Sequence, residues 1–206
     1  MWGLGFWLGV IPGTGRGAFF AAALLLSLSG TAIAGPFEDA VAAEERGDHA
    51  TAVRLFRPLA EAGNANAQLE LGTLFLLGFG VPQNDVEAIK WFRLSAERGN
   101  ANAQDALGFA YYRGKGVPQN LVEAAKWFRR ASEQGLDNAQ NKLGLMYENG
   151  EGVPQNFVLA HFWLNLAAAQ DAVFVLNRAR VAAIMTPAQI AEAQKLARDW
   201  KSKPEK

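Results

Sequence analysis

The 206-residue sequence contains no cysteine. That absence excludes disulfides, a thiol nucleophile, thiolate metal sites and the lipidated cysteine of a bacterial lipoprotein. Histidine is nearly as scarce, since His49 and His161 are the only two. Neither has a second histidine nearby, so no metal centre and no nucleophile–base pair is indicated, and both read as packing or surface residues. An excess of charge is missing too: 20 Lys plus Arg stand against 20 Asp plus Glu. No field draws the chain to nucleic acid or to an anionic membrane surface. The 21 glycines follow no strand, so no phosphate-binding loop is indicated. Catalytic residues, metal and cofactor are therefore all expected to be absent.

Charge is also lacking at the start of the chain, where Arg16 is the only charged residue before Gly35. It precedes an apolar run from Ala18 to Leu28, then Ser29-Gly30-Thr31 and Ala32-Ile33-Ala34. A short apolar run closed by small residues in an A-x-A pattern is the build of a signal peptide cut before Gly35. Residues 1–34 are thus expected to be removed on export to the periplasm or medium, leaving no membrane span in the mature chain. An uncleaved anchor is the alternative, because Gly17–Ala34 is an uncharged stretch near the lower length limit for a span.

What the sequence does have is a repeat. Gly80, Gly116 and Gly152 each open the pentapeptide GVPQN, Leu71-Gly72 recurs as Leu107-Gly108 and Leu143-Gly144, and Trp91, Trp127 and Trp163 follow, all at a period of 36. Residues 67–102 and 103–138 share 20 identities in 36, and 103–138 and 139–174 share 16. Each copy reads as two helices. Ala67, Leu71 and Phe75 lie four apart on one face, Pro82 cannot continue the first helix, and Asn84 or Asn120 caps the second. Glu87 and Glu123, three residues on, are expected to complete capping boxes, and Ala88 and Trp91 to face the core. Gly72 inside a helix implies that a neighbouring helix passes too close for a side chain. Glu87 with Lys90, and Glu123 with Lys126, are i, i+3 pairs and read as solvated ion pairs rather than as an acid and base.

These residues resemble the Sel-one-like repeat family, relatives of the tetratricopeptide repeat, over about 65–171. The resemblance implies an all-α fold, an α/α solenoid of tandem 36-residue helix-turn-helix repeats, used for protein interaction. Residues 35–64 look like a degenerate leading helix pair, with Asp48 as cap and Pro58 expected to kink its second helix. Segment 172–206 is expected to cap the far end. After a less regular stretch from Asp171 to Met185, Thr186, Pro187 and Gln189 mark a helix start at about 187. Ile190, Ala193, Leu196 and Ala197 make a stripe to cover Leu159, Phe162 and Leu166, where the third copy turns apolar.

Core positions of a solenoid repeat, so residues that vary between copies mark its binding face. In the first helices such positions are spaced 3, 4 and 3 on one face. The stripe runs through Asn66, Leu69, Thr73 and Leu76, then Asn102, Asp105, Phe109 and Tyr112, then Asn138, Asn141, Leu145 and Glu148, its first position being asparagine in every copy and the other three varying. In tetratricopeptide-like solenoids this stripe lines the groove. Leu69, Thr73, Leu76, Asp105, Phe109, Tyr112, Asn141, Leu145 and Glu148 are the candidate contacts for a protein or peptide partner, the other explanation for their apolar members being tighter helix packing. The expected function is an exported scaffold or regulator and not an enzyme. The alternatives are a cell-envelope hydrolase, suggested by cysteine-rich relatives and weakened by the missing cysteine, and a cell-wall glycan binder using Tyr112, Phe109, Asp105 and Glu148.

Overall fold

The computed structural model describes residues 35–200, which belong to one compact unit. The expected signal peptide, residues 1–34, and residues 201–206 lie outside the described residues. Among the described residues all regular structure is helical. Ten α-helices follow in chain order: α1 Pro36–Glu45, α2 His49–Glu61, α3 Ala65–Leu77, α4 Asp85–Glu97, α5 Ala101–Arg113, α6 Leu121–Glu133, α7 Asp137–Asn149, α8 Phe157–Gln170, α9 Val175–Ala182 and α10 Pro187–Asp199. Packing is sequential. Each odd helix up to α7 pairs with its successor, and each pair stacks on the next through α2 with α3, α4 with α5 and α6 with α7. This is the helix-pair solenoid.

Each helix pair is closed by glycine for two different reasons. Gly72 and Gly108 face Phe92 and Phe128, and a Cβ at either would come within 2.7 or 2.8 Å of that ring. In the loop, Gly80, Gly116 and Gly152 take positive φ of 71°, 72° and 66° and press against the N-terminus of the preceding pair's second helix. A Cβ on Gly116 would stand 2.6 Å from the Asp85 carbonyl oxygen. Copies meet backbone to backbone there, which only glycine permits.

Buried glutamines tie the copies together. The Nε2 groups of Gln68, Gln104 and Gln140 donate to the carbonyls of Ala60, Ala96 and Ser132 at 2.9, 3.1 and 3.2 Å, satisfying the C-terminal end of the preceding helix. Gln134 and Gln170 in turn donate to Gln104 and Gln140 at 2.8 and 3.0 Å. Among the described residues, Ser95, Asn100, Ser132, Asn141 and His161 are the other buried polar residues of a mainly apolar core, whose aromatic members differ from those expected. Phe92 and Phe128 are buried, whereas Trp91 and Trp127 are half-buried beside them, and Arg130 lies 4.4 Å over the Trp127 ring. A tryptophan at the edge keeps part of its large ring in water while the smaller phenylalanine fills the interior.

The helix starts are half as expected. Asn84 and Asn120 accept from the Glu87 and Glu123 amides at 3.0 and 3.1 Å. The reciprocal half of the box does not form, because the Asn84 and Asn120 amides donate to the Phe75 and Tyr111 carbonyls, both at 2.9 Å, and the two glutamates pair with Lys90 and Lys126 at 2.8 and 2.6 Å. Thr186 and Gln189 do make a complete box. Asp48 caps α2, which runs through Pro58 to Glu61.

At the far end α10 packs on α8. Ala193 is buried, and Ile190, Ala197 and Trp200 join Leu159, Phe162 and Leu166 in one cluster. Leu196 departs from the expected stripe and is exposed. A larger departure is α9, a helix in the stretch read as irregular. It has no side-chain cap, and its large apolar residue Leu176 stands exposed beside Asn177, Arg178 and Arg180, so its start and its buried face are poorly marked. Tertiary contact with α7 and α8 holds it.

Candidate protein-binding site

The candidate stripe is carried by α3, α5 and α7, whose 13-residue lengths are equal, so corresponding side chains repeat from helix to helix. In the first copy Leu69 and Leu76 are half-buried, and the Thr73 hydroxyl donates to the Leu69 carbonyl at 3.0 Å. In the second, Phe109 is exposed at 40% and Asp105 and Tyr112 are half-buried. Asn66, Asn102 and Asn138 at the helix starts are exposed.

Between the first and second copies the stripe opens into a cavity of about 220 Å³. Leu76 and Phe109 form its sides, Ile89, Phe92, Ala106 and Ala110 line it further, and Asp105 and Lys115 contribute its charges. Lys115 is engaged, lying 3.4 Å from Asp85. Asp105 is not: one of its carboxylate oxygens is buried without a hydrogen-bond partner. Burial pushes its pKa up to about 6; Lys142 pulls it the other way and Asp137 adds to the rise. This aspartate is the one strongly perturbed carboxylate on the stripe.

Tyr112 and Phe109 share a cation. The Arg113 guanidinium carbon lies 5.5 Å from the Phe109 centroid and 5.8 Å from that of Tyr112. The Tyr112 hydroxyl donates to Glu151 of the next copy at 2.9 Å, which raises its pKa. Tyr112 therefore couples copies as well as facing the groove. Neither Arg113 nor Glu151 was among the candidates, and a contact 39 residues away leaves no local trace in the sequence.

In the third copy the stripe has an occupant from the same chain. Asn141 is only 7% exposed and accepts from Asn177 of α9 at 2.8 Å. Arg180 of α9 forks onto both oxygens of Glu148 at 2.9 and 2.6 Å. Leu145 between them is half-buried. Asn141 and Glu148 are thus committed within the fold, and the open stretch of the stripe runs from Leu69 to Tyr112.

The two histidines take no part. His161 is buried at 3% exposure, and burial together with Arg178 lowers its pKa. His49 stacks on Phe79 with centroids 4.6 Å apart. Among the described residues no cluster of His, Asp and Glu is arranged to hold a metal ion, and no helix is long and apolar enough to cross a membrane.

Comparison with known proteins matches the sequence to a repeat-family model. The Sel1 repeat model fits residues 44–64, 65–100, 101–136 and 137–171, so it reaches the second helix of the leading pair as well as the three full copies. Among solved structures, a protective antigen present in uropathogenic Escherichia coli strains, displaying an SLR fold, is 35% identical with a TM-score of 0.65. The match covers 71% of this chain and 32% of that one, so the chain spans about a third of the antigen's length. A Sel1 repeat protein from Oxalobacter formigenes is 29% identical with a TM-score of 0.66, over 78% of this chain and 73% of its own. No curated protein matches the sequence.

Proposed function

Because the chain belongs to the Sel1 repeat family, a non-catalytic scaffold fold whose members generally mediate protein–protein interaction, we propose that it is an exported scaffold or regulator that holds a protein segment on its groove stripe. The observation that carries this reading is the cavity between Leu76 and Phe109, where an exposed aromatic and an unpaired carboxylate meet beside a leucine that the core buries only in part. Exposed aromatics beside a pocket are the usual anchors of protein recognition. Glycan binding gains no such support, since Glu148 is held by Arg180 and Tyr112 by Glu151, which breaks up the carboxylate and aromatic set that a sugar would need.

Export rests on the apolar run and A-x-A pattern before Gly35. N-terminal sequencing of protein recovered from the periplasm or medium should begin at Gly35, and an intact membrane-bound N-terminus would replace export with anchoring. For the groove, a photo-crosslinking residue at position 109 should capture a protein in the source cell, while the same group at Val122, an exposed residue of α6, should not. Equal capture at both positions would show that the stripe is not the binding face.

A further inference from the structure

The third copy shows how the stripe takes a helix. Asn177 of α9 bonds to Asn141, and three residues on Arg180 forks onto Glu148, so a helical segment lies against the stripe with its polar groups meeting those of α7. Asn141 stands one repeat beyond Asp105, and Leu69 one repeat before it. The same position is therefore leucine, aspartate and asparagine in three copies that fold alike.

Two facts about Asp105 follow from this comparison. The scaffold does not require a carboxylate there, since Leu69 and Asn141 occupy the equivalent place in α3 and α7. The carboxylate is also a burden to the free chain, for Asp105 borders the cavity and one of its oxygens is buried with no hydrogen-bond partner. Lys142 attracts it without forming an ion pair, and Lys115 is already held by Asp85. A carboxylate beside an open apolar cavity is completed by a donor brought from outside: in the third copy Asn177 supplies one to Asn141, at the position equivalent to Asp105, and seven residues on Arg180 supplies a cation to Glu148.

Resting on the groove reading above, we propose that the open stretch of the stripe takes a helical segment of a partner protein that presents one lysine or arginine to Asp105 and an apolar side chain to the cavity between Leu76 and Phe109. A single basic residue fits better than a run of them. Arg113 covers the exposed faces of Phe109 and Tyr112, and Lys115 borders the cavity, so a second cation beside the first meets repulsion.

The test selects a display library of random peptides, roughly 16 residues long and so able to form a docked helix, against the full chain. Peptides that bind the wild type but not Phe109→Ala define groove ligands. These should carry a lysine or arginine, and changing that residue to norleucine should weaken binding to the wild type by about tenfold or more. The same peptide change should have less than about a twofold effect on Asp105→Asn. Groove ligands without a basic residue, or with one whose removal costs nothing on the wild type, would overturn the basic anchor while leaving the groove intact. That arm needs no variant of Asp105, so the proposal stays testable whatever the folding of Asp105→Asn. An absence of any Phe109-dependent peptide would overturn the groove reading and this proposal with it.

Discussion

At the scale of single residues, Asp105 is a source of pH-dependent stability. Its pKa is pushed up from an ordinary value of 3.8 to about 6, chiefly by burial, so between those values the folded chain holds a proton that the unfolded chain has released. Stability must then fall as pH rises through that window, and above it the folded state carries an uncompensated charge. Asp105→Asn removes this dependence. The variant should melt close to the wild type near pH 4 and above it at pH 7, by on the order of 1 kcal/mol, or 2–4 °C, allowing for solvent at the open side of the cavity. Thermal melts of both proteins across that range decide it, and a variant that melts lower at pH 7 would show that Asp105 has a partner within the fold. The sequence singles out Asp105 because it breaks the repeat, yet its burial is invisible there, since the side chains that share its cavity come from α3 and α4 as well as α5 and the charges that act on it from α7. Asn141 and Glu148 carry the same signal for the opposite reason, since the residues that satisfy them lie on α9, more than 30 positions away.

At the scale of elements, legibility follows locality. α3 to α8 are readable because period, cap and breaker are all written within one copy and then repeated. α10 is readable from Thr186, Pro187 and Gln189, although the outward turn of Leu196 is not, because either face of a short helix can offer four apolar residues. α9 is not readable at all, being held by its docking on α7 and α8 instead of by propensity. The capping role of α10 makes a direct prediction. Truncation before Thr186 uncovers Leu159, Phe162 and Leu166, each worth on the order of 1.5 to 3 kcal/mol when fully buried and less here where Leu159 and Leu166 are half-buried. The shortened chain should melt markedly lower or self-associate in sedimentation. Point variants refine the test: Ala193→Asp places a charge at a site with 0% exposure and should act like the truncation, whereas Leu196→Asp, on a residue 41% exposed, should be tolerated. The reverse order would restore the stripe expected from sequence and turn α10 about its axis.

At the scale of the whole molecule, the solenoid is a row of nearest-neighbour contacts, so its cooperativity passes through a few junctions. The junction between the first two copies is narrow, because the loop at Gly116 rests on the backbone of Asp85 and on Ile89. A glycine elsewhere provides the matching control. Gly47 has φ of 75°, almost the same as the 72° of Gly116, but a Cβ added to it would meet nothing within 4 Å. Alanine at either site incurs the left-handed backbone penalty of about 1 to 2 kcal/mol. Only Gly116→Ala also drives a Cβ to 2.6 Å from a backbone oxygen, and relieving that contact requires one copy to move off the other, adding roughly 1 to 3 kcal/mol. Gly47→Ala should therefore lower the melting temperature modestly and keep a single transition. Gly116→Ala should lower it further and weaken the coupling itself, so that denaturant unfolding broadens or splits and amide exchange rises in α4 and α6 before it rises in α2 or α8. It should also widen the cavity between Leu76 and Phe109, since α3 and α5 belong to the two copies being separated, and so reduce peptide capture without touching a stripe residue. Equal costs for the two variants, with one sharp transition in each, would mean that the copies are joined mainly through their buried side chains and glutamine bonds, and that the glycine contact is incidental.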